Sequence, residues 1–116
     1  MKNTMHFEKL LPDAGEEKSA QLALFAVINL GIIDSLASGM LTASDAVRLV
    51  YHGDNCKYVR EILSDKTADK VMSHGVQLPD LFEALPAEEA HRQLHHELQT
   101  MRAVCLKILD IKQLAA

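Results

Sequence analysis

Between Ala20 and Ile33 the chain is apolar at every position except Gln21, Asn29 and Gly31. Glu16 and Glu17 open this stretch and Asp34 closes it. Acidic side chains sit well against the positive end of a helix dipole, so the segment reads as a helix starting at Glu16. Apolar side chains around the whole circumference leave no face for water, and such a helix has to be surrounded by others. That demand decides the class of fold: the rest of the chain must provide covering helices. No run alternates apolar and polar residues between turn signals, so no strand is expected. Ala23, Ala26 and Gly31 are small and let a neighbour approach closely. The apolar core of the helix is shorter than the roughly 20 residues that cross a bilayer. The helix is predicted over Glu16 to about Ser38, with Gly39 just past its end.

The covering helices can be read in turn. Thr42 followed by Asp45 resembles a capping box, with aspartate in place of the usual Glu or Gln. Ala46, Leu49 and Val50 then give helical spacing, and Gly53 is expected to stop that helix. Asp54 or Asn55 caps a short third helix whose buried face is Cys56, Val59, Ile62 and Leu63. A fourth piece runs from about Asp65 to Ser73, packs through Ala68, Val71 and Met72, and ends at Gly75. Leu78 to Phe82 forms a separate short turn, with Pro79 near its start. Pro86, Glu88 and Glu89 are strong start signals for the last long helix. Its stripe Leu94, Leu98, Met101, Cys105 and Ile108 steps by four and three, a heptad-like seam widened by Leu109 and Ile111. The reading is one all-α domain over residues 1–116: a small irregular bundle, orthogonal or up-down, of two long helices and three or four short ones. Residues 1–15 form a lead-in, in which Phe7, Leu10 and Leu11 can make a helical turn that docks on the body.

A chain of 116 residues, 48% hydrophobic, has enough apolar material for one core. Aromatics are only 4% and tryptophan is absent, so the core is built from Leu, Ile, Val, Ala and Met. The formal charge is −4, with twelve basic residues scattered among sixteen acidic ones. Phosphate backbones need clustered Lys and Arg. The densest cluster, Lys57, Arg60, Lys66 and Lys70, is interleaved with Asp54, Glu61, Asp65 and Asp69, so nucleic-acid binding is not expected. Cys56 and Cys105 belong to no C-x-x-C and no apolar leader opens the chain; two reduced thiols in a soluble cytoplasmic protein are expected.

Two residue groups carry candidate chemistry. Glu88, His91 and His95 share one side of the last helix, and ligands one helical turn apart converge on a single divalent ion. A metal site there needs a further donor from another helix, for which His52, His74 and Asp34 are the spare candidates. Against it, His91 extends the apolar seam backward by one step and then merely covers the core margin, while His96 and Glu97 face water. Asn29, inside the apolar helix, must find hydrogen-bond partners at a cost of about 1–3 kcal/mol if it fails. It bonds a loop carbonyl or lies at the helix margin; the sharper alternative is that it fixes the register of a helix pair. The segment His74 to Phe82 carries Val76, Leu78, Leu81 and Phe82 and is expected to plug the core. No nucleophile elbow, phosphate loop or dinucleotide fingerprint is present. No enzymatic activity and no cofactor are expected.

The turn Gly39-Met40-Leu41-Thr42-Ala43-Ser44-Asp45-Ala46 into a short capped helix, together with the stretch Gly75 to Leu85, resembles small all-helical bacterial protein families of uncharacterised function. The resemblance implies no activity and no functional residue. Function is expected to be protein binding or scaffolding through helix faces, with a metal-binding helical protein as the alternative. Two long apolar faces with only short helices to cover them point to a second copy of the chain, or another protein, seated on the final seam through Leu94, Leu98, Met101 and Ile108. No membrane partner is expected.

Overall fold

The computed structural model describes residues 4–115, with side chains placed as far as Asp110. Among the described residues six α-helices follow one another: α1 (Phe7–Leu10), α2 (Lys18–Ala37), α3 (Ala43–Leu49), α4 (Gly53–Tyr58), α5 (Lys66–Ala84) and α6 (Ala87–Ala115). A 3-10 turn, Leu11–Ala14, follows α1, and a π turn, Val59–Leu63, continues α4. No strand occurs among the described residues. The protein is therefore an all-α bundle, as its sequence requires.

Local signals set most of the helix ends. Gly39 has φ 82° and stands just past α2, where a Cβ would strain the left-handed backbone. Met40 N–H reaches the Ser35 carbonyl at 2.9 Å and Gly39 N–H the Leu36 carbonyl at 3.3 Å, the paired bonds of a Schellman cap. Thr42 and Asp45 form the expected reciprocal box on α3, and hydrogen bonds from Thr42 hold the Asp45 carboxyl below its ordinary pKa. Pro86 immediately precedes α6, and Glu88 and Glu89 occupy its first turn.

Three helices are long, not two. Gly75 does not end a helix and Pro79 does not begin one; both lie inside α5, which runs 19 residues. The reason is packing. Ala68, Val71, Met72, Gly75 and Leu78 form one buried face, and the ring of Tyr51 lies directly on Gly75. The glycine is there to admit a ring, and the continuous apolar face outweighs the backbone bond that Pro79 cannot donate. Of the expected plug, Leu78 is buried, whereas Val76 and Phe82 reach solvent.

The third helix also differs. Gly53 opens α4 instead of closing α3, and neither Asp54 nor Asn55 caps it; His52 is the N-cap residue. Asn55 turns inward and is buried. Its Oδ1 accepts from Phe7 N–H at 2.9 Å, while its Nδ2 donates to the Met5 and Val50 carbonyls at 3.0 and 2.8 Å. The lead-in is thereby tied to the body, and Phe7 and Leu11 enter the core. Leu10 stays at the surface, and Met1 to Asn3 lie outside the described residues. The Val59–Leu63 turn carries an extra residue per turn, which buries Val59 and Leu63 but swings Ile62 out to solvent.

The core lies between α2, α5 and α6. Two residues join α5 to α6, so they form an antiparallel hairpin. The C-terminal end of α2 lies beside the start of α6, and Asp34 pairs with Arg102 further along, so α2 is antiparallel to α6 as well. Leu94, Leu98, Met101, Cys105 and Ile108 are all buried in this core; the Ile111 side chain lies outside the described residues. In the middle sits one polar contact. Asn29 is fully buried, donates to the Phe25 carbonyl of its own helix at 3.0 Å, and accepts from the Tyr51 hydroxyl at 2.8 Å. It bonds no loop carbonyl and lies at no margin; its partner is the hydroxyl of Tyr51, in the connection between α3 and α4. Burial pushes the Tyr51 hydroxyl pKa far up, so Tyr51 remains a neutral donor. Tyr51→Phe strands a buried amide oxygen and is expected to cost about 1–3 kcal/mol in urea unfolding. A loss below about 0.5 kcal/mol contradicts the structural weight of this bond.

Candidate binding site

Each proposed metal ligand has a definite place, and together they make no centre. Glu88, His91 and His95 are exposed along α6. The spare donors are all engaged elsewhere. His52 Nε2 bonds the Met5 carbonyl at 2.8 Å, His74 Nδ1 meets Glu97 Oε1 at 2.6 Å, and Arg102 holds Asp34 at 2.7 Å. No group of three or more His, Cys, Asp or Glu among the described residues can hold a metal ion. The described residues therefore do not favour the metal reading, since no second helix brings a ligand to Glu88, His91 and His95. Glu97, expected in water, is half-buried between α5 and α6, where it also accepts from Gln93.

His91 and His95 instead line a groove of about 470 Å³. Its walls are the last turn of α2, the cap at Gly39, the start of α3, the C-terminal half of α5 and the first turns of α6. Leu36 and Leu94, both buried, belong to its lining, as do Leu41, Pro79 and Phe82. Phe82 stands edge-on to the His91 imidazole, with ring centroids 5.2 Å apart. A volume between about 300 and 1,000 Å³ with mainly apolar walls is the usual form of a small-ligand site. Two sequence features hint at it: an aromatic, Phe82, in the apolar segment His74 to Phe82, and two histidines one turn apart. That they meet depends on α5 continuing through Gly75 and Pro79.

A second surface runs along the outside of α2 and α6. Val27 is one full heptad before Asp34 and so shares its face; Leu106 is one turn beyond Arg102. Both are exposed, at 55% and 44%. They flank the outer edge of the seam, beside the partly buried Leu30 and Leu109. The seam residues Leu94, Leu98, Met101 and Ile108 face the opposite way, into the chain's own core, where α5 is the additional long helix that covers them. By length and composition alone α2 qualifies as a membrane-crossing helix, since its 20 residues extend beyond the stretch Ala20–Ile33. In this fold one face of α2 packs chiefly on α6, a third of its apolar window being buried, and the polar side chain on that buried face, Asn29, is hydrogen-bonded.

Burial disfavours the thiolate form at both cysteines. Burial raises the Cys105 pKa to about 11 and also raises that of Cys56. A thiol held protonated in the folded state contributes full stability below its unfolded value of 9.0 and loses it as pH climbs toward 11.

Comparison with known proteins places this architecture. A family described as "Protein of unknown function (DUF3969)" matches residues 16–115, nearly the whole bundle. The chain belongs to this family. Its match includes α2 to α6, and with them both the groove and the outer α2–α6 face, while α1 and its 3-10 turn precede it. No curated protein matches the chain. No solved structure matches it either.

Proposed function

We propose that this chain is a non-catalytic, cytoplasmic protein-binding module that self-associates as a homodimer through the outer α2–α6 face. The observation that carries the reading is the exposed apolar pair Val27 and Leu106, set beside the Asp34–Arg102 ion pair. Contiguous exposed apolar patches rimmed by polar groups mark contact surfaces, and the partly buried Leu30 and Leu109, one helical turn from Val27 and Leu106, extend this one. A two-fold axis across antiparallel helices lets one patch meet its own copy, the commonest symmetry of soluble oligomers. Two free thiols fit a reducing compartment. The fate of the ionisable groups supports a non-catalytic role: His52, His74 and Asp34 hold structural contacts, and both thiols resist ionisation. The basic side chains Lys57, Arg60, Lys66 and Lys70 are exposed but share their surface with acids, which argues against nucleic acid.

Light scattering behind a sizing column tests the dimer. The expected mass is twice 12.9 kDa at micromolar concentration. Val27→Lys, at an exposed position, is expected to give the single-chain mass with an unchanged melting temperature. A wild-type mass of 12.9 kDa throughout the range sinks the proposal.

A further inference from the structure

We infer that the groove between α2, α3, α5 and α6 is a binding site for a small free carboxylate with an extended apolar body. The inference goes beyond self-association, which uses a different face. Three observations carry it. The groove, about 470 Å³, is lined by Leu36, Leu41, Leu94, Pro79 and Phe82, which suits a hydrocarbon body. No Lys, Arg, Asp or Glu among the described residues lines it, so the imidazoles of His91 and His95 are its ionisable groups. The only charge an imidazole can acquire is positive, and it keeps an N–H donor in either state. An anion that accepts hydrogen bonds complements that wall; an ammonium does not.

Third, these two rings are unoccupied. His52 and His74 are spent on the Met5 carbonyl and on Glu97. Among the described residues, His91 and His95 make no hydrogen bond or ion pair, and His91 has only the edge of Phe82 beside it. Two donors one turn apart along α6 can meet the two oxygens of one carboxylate. Two histidines without a further donor from another helix are a poor metal site but suffice here, because a carboxylate needs donors and not a coordination shell. The concave wall with a buried floor favours a single free molecule over a bilayer surface, which needs a convex apolar face.

Titration calorimetry with decanoate, below its micelle threshold, tests the site, with decylamine and decanol as controls. One decanoate per chain is expected, with decylamine bound at least tenfold more weakly. Joint replacement His91→Leu and His95→Leu is expected to weaken decanoate at least tenfold and leave decanol unchanged. Ala37→Trp, at an exposed lining position, is expected to abolish binding of both. Helical circular dichroism on each variant verifies that the fold persists. Equal binding of decylamine and decanoate overturns the headgroup assignment. Decanoate binding that survives Ala37→Trp overturns the location. Uptake onto phosphatidylglycerol vesicles without saturable decanoate binding overturns the site as a whole.

Discussion

Gly75→Ala is expected to destabilise the protein by about 3 kcal/mol, although alanine is the better helix former by about 1 kcal/mol. The added Cβ lands 2.5–2.6 Å from Cγ, Cδ1 and Cδ2 of Tyr51. Those atoms belong to the rigid root of a ring that is itself fully buried. The ring cannot retreat without pulling its hydroxyl from Asn29, which it holds at 2.8 Å. Either the helix backs away from the core or the polar contact breaks, and each route costs more than helix propensity returns. Urea unfolding measures the loss. A second variant isolates the cause: Tyr51→Leu removes the ring, so adding Gly75→Ala to Tyr51→Leu is expected to cost far less than adding it to wild type. Additive losses contradict the collision.

Asn55→Ala is expected to cost about 3 kcal/mol, at the upper end for a single buried amide, because three bonds to backbone groups are lost together. Phe7 N–H, the Met5 carbonyl and the Val50 carbonyl all bond this side chain. Met5 keeps its N–H bond to the Leu49 carbonyl at 2.8 Å and its carbonyl keeps His52. The segment is thus loosened at one end and not freed outright. Hydrogen exchange separates this from a general loss of stability: amides from Phe7 to Leu11 are expected to exchange faster than those of α6. Uniform acceleration in both places contradicts a local clamp.

Much of this architecture was legible because its rules are local. The apolar circumference of α2, the Schellman glycine, the Thr42–Asp45 box and the seam of α6 each follow from residues within a few positions of one another. What was not legible depends on contacts far apart in sequence. Gly75 reads as a stop until a tyrosine 24 positions away is known to sit on it. Asn55 reads as a cap because its partners, Met5 and Phe7, lie some 50 residues off. Ile62 reads as buried on ordinary helical spacing, and only the π turn puts it outside. The seam reads as an interface as long as residues 65–82 read as two short pieces, which leave too little helix to cover α6. The groove suffers from the same division, since Phe82 and His91 face each other only across a continuous α5–α6 hairpin.

A helix greasy on every side has a problem of its own: nothing in hydrocarbon contact alone says which way it should be rotated about its long axis. Turning α2 by a third of a revolution exchanges one set of leucines and isoleucines for another of nearly equal value. The single amide at Asn29 removes that degeneracy: any other angle keeps its bond to the Phe25 carbonyl of its own helix but breaks the one from Tyr51, leaving the amide oxygen and the Tyr51 hydroxyl unpaired. Uniqueness of orientation in this bundle therefore comes from the one side chain on α2's buried face that dislikes being there.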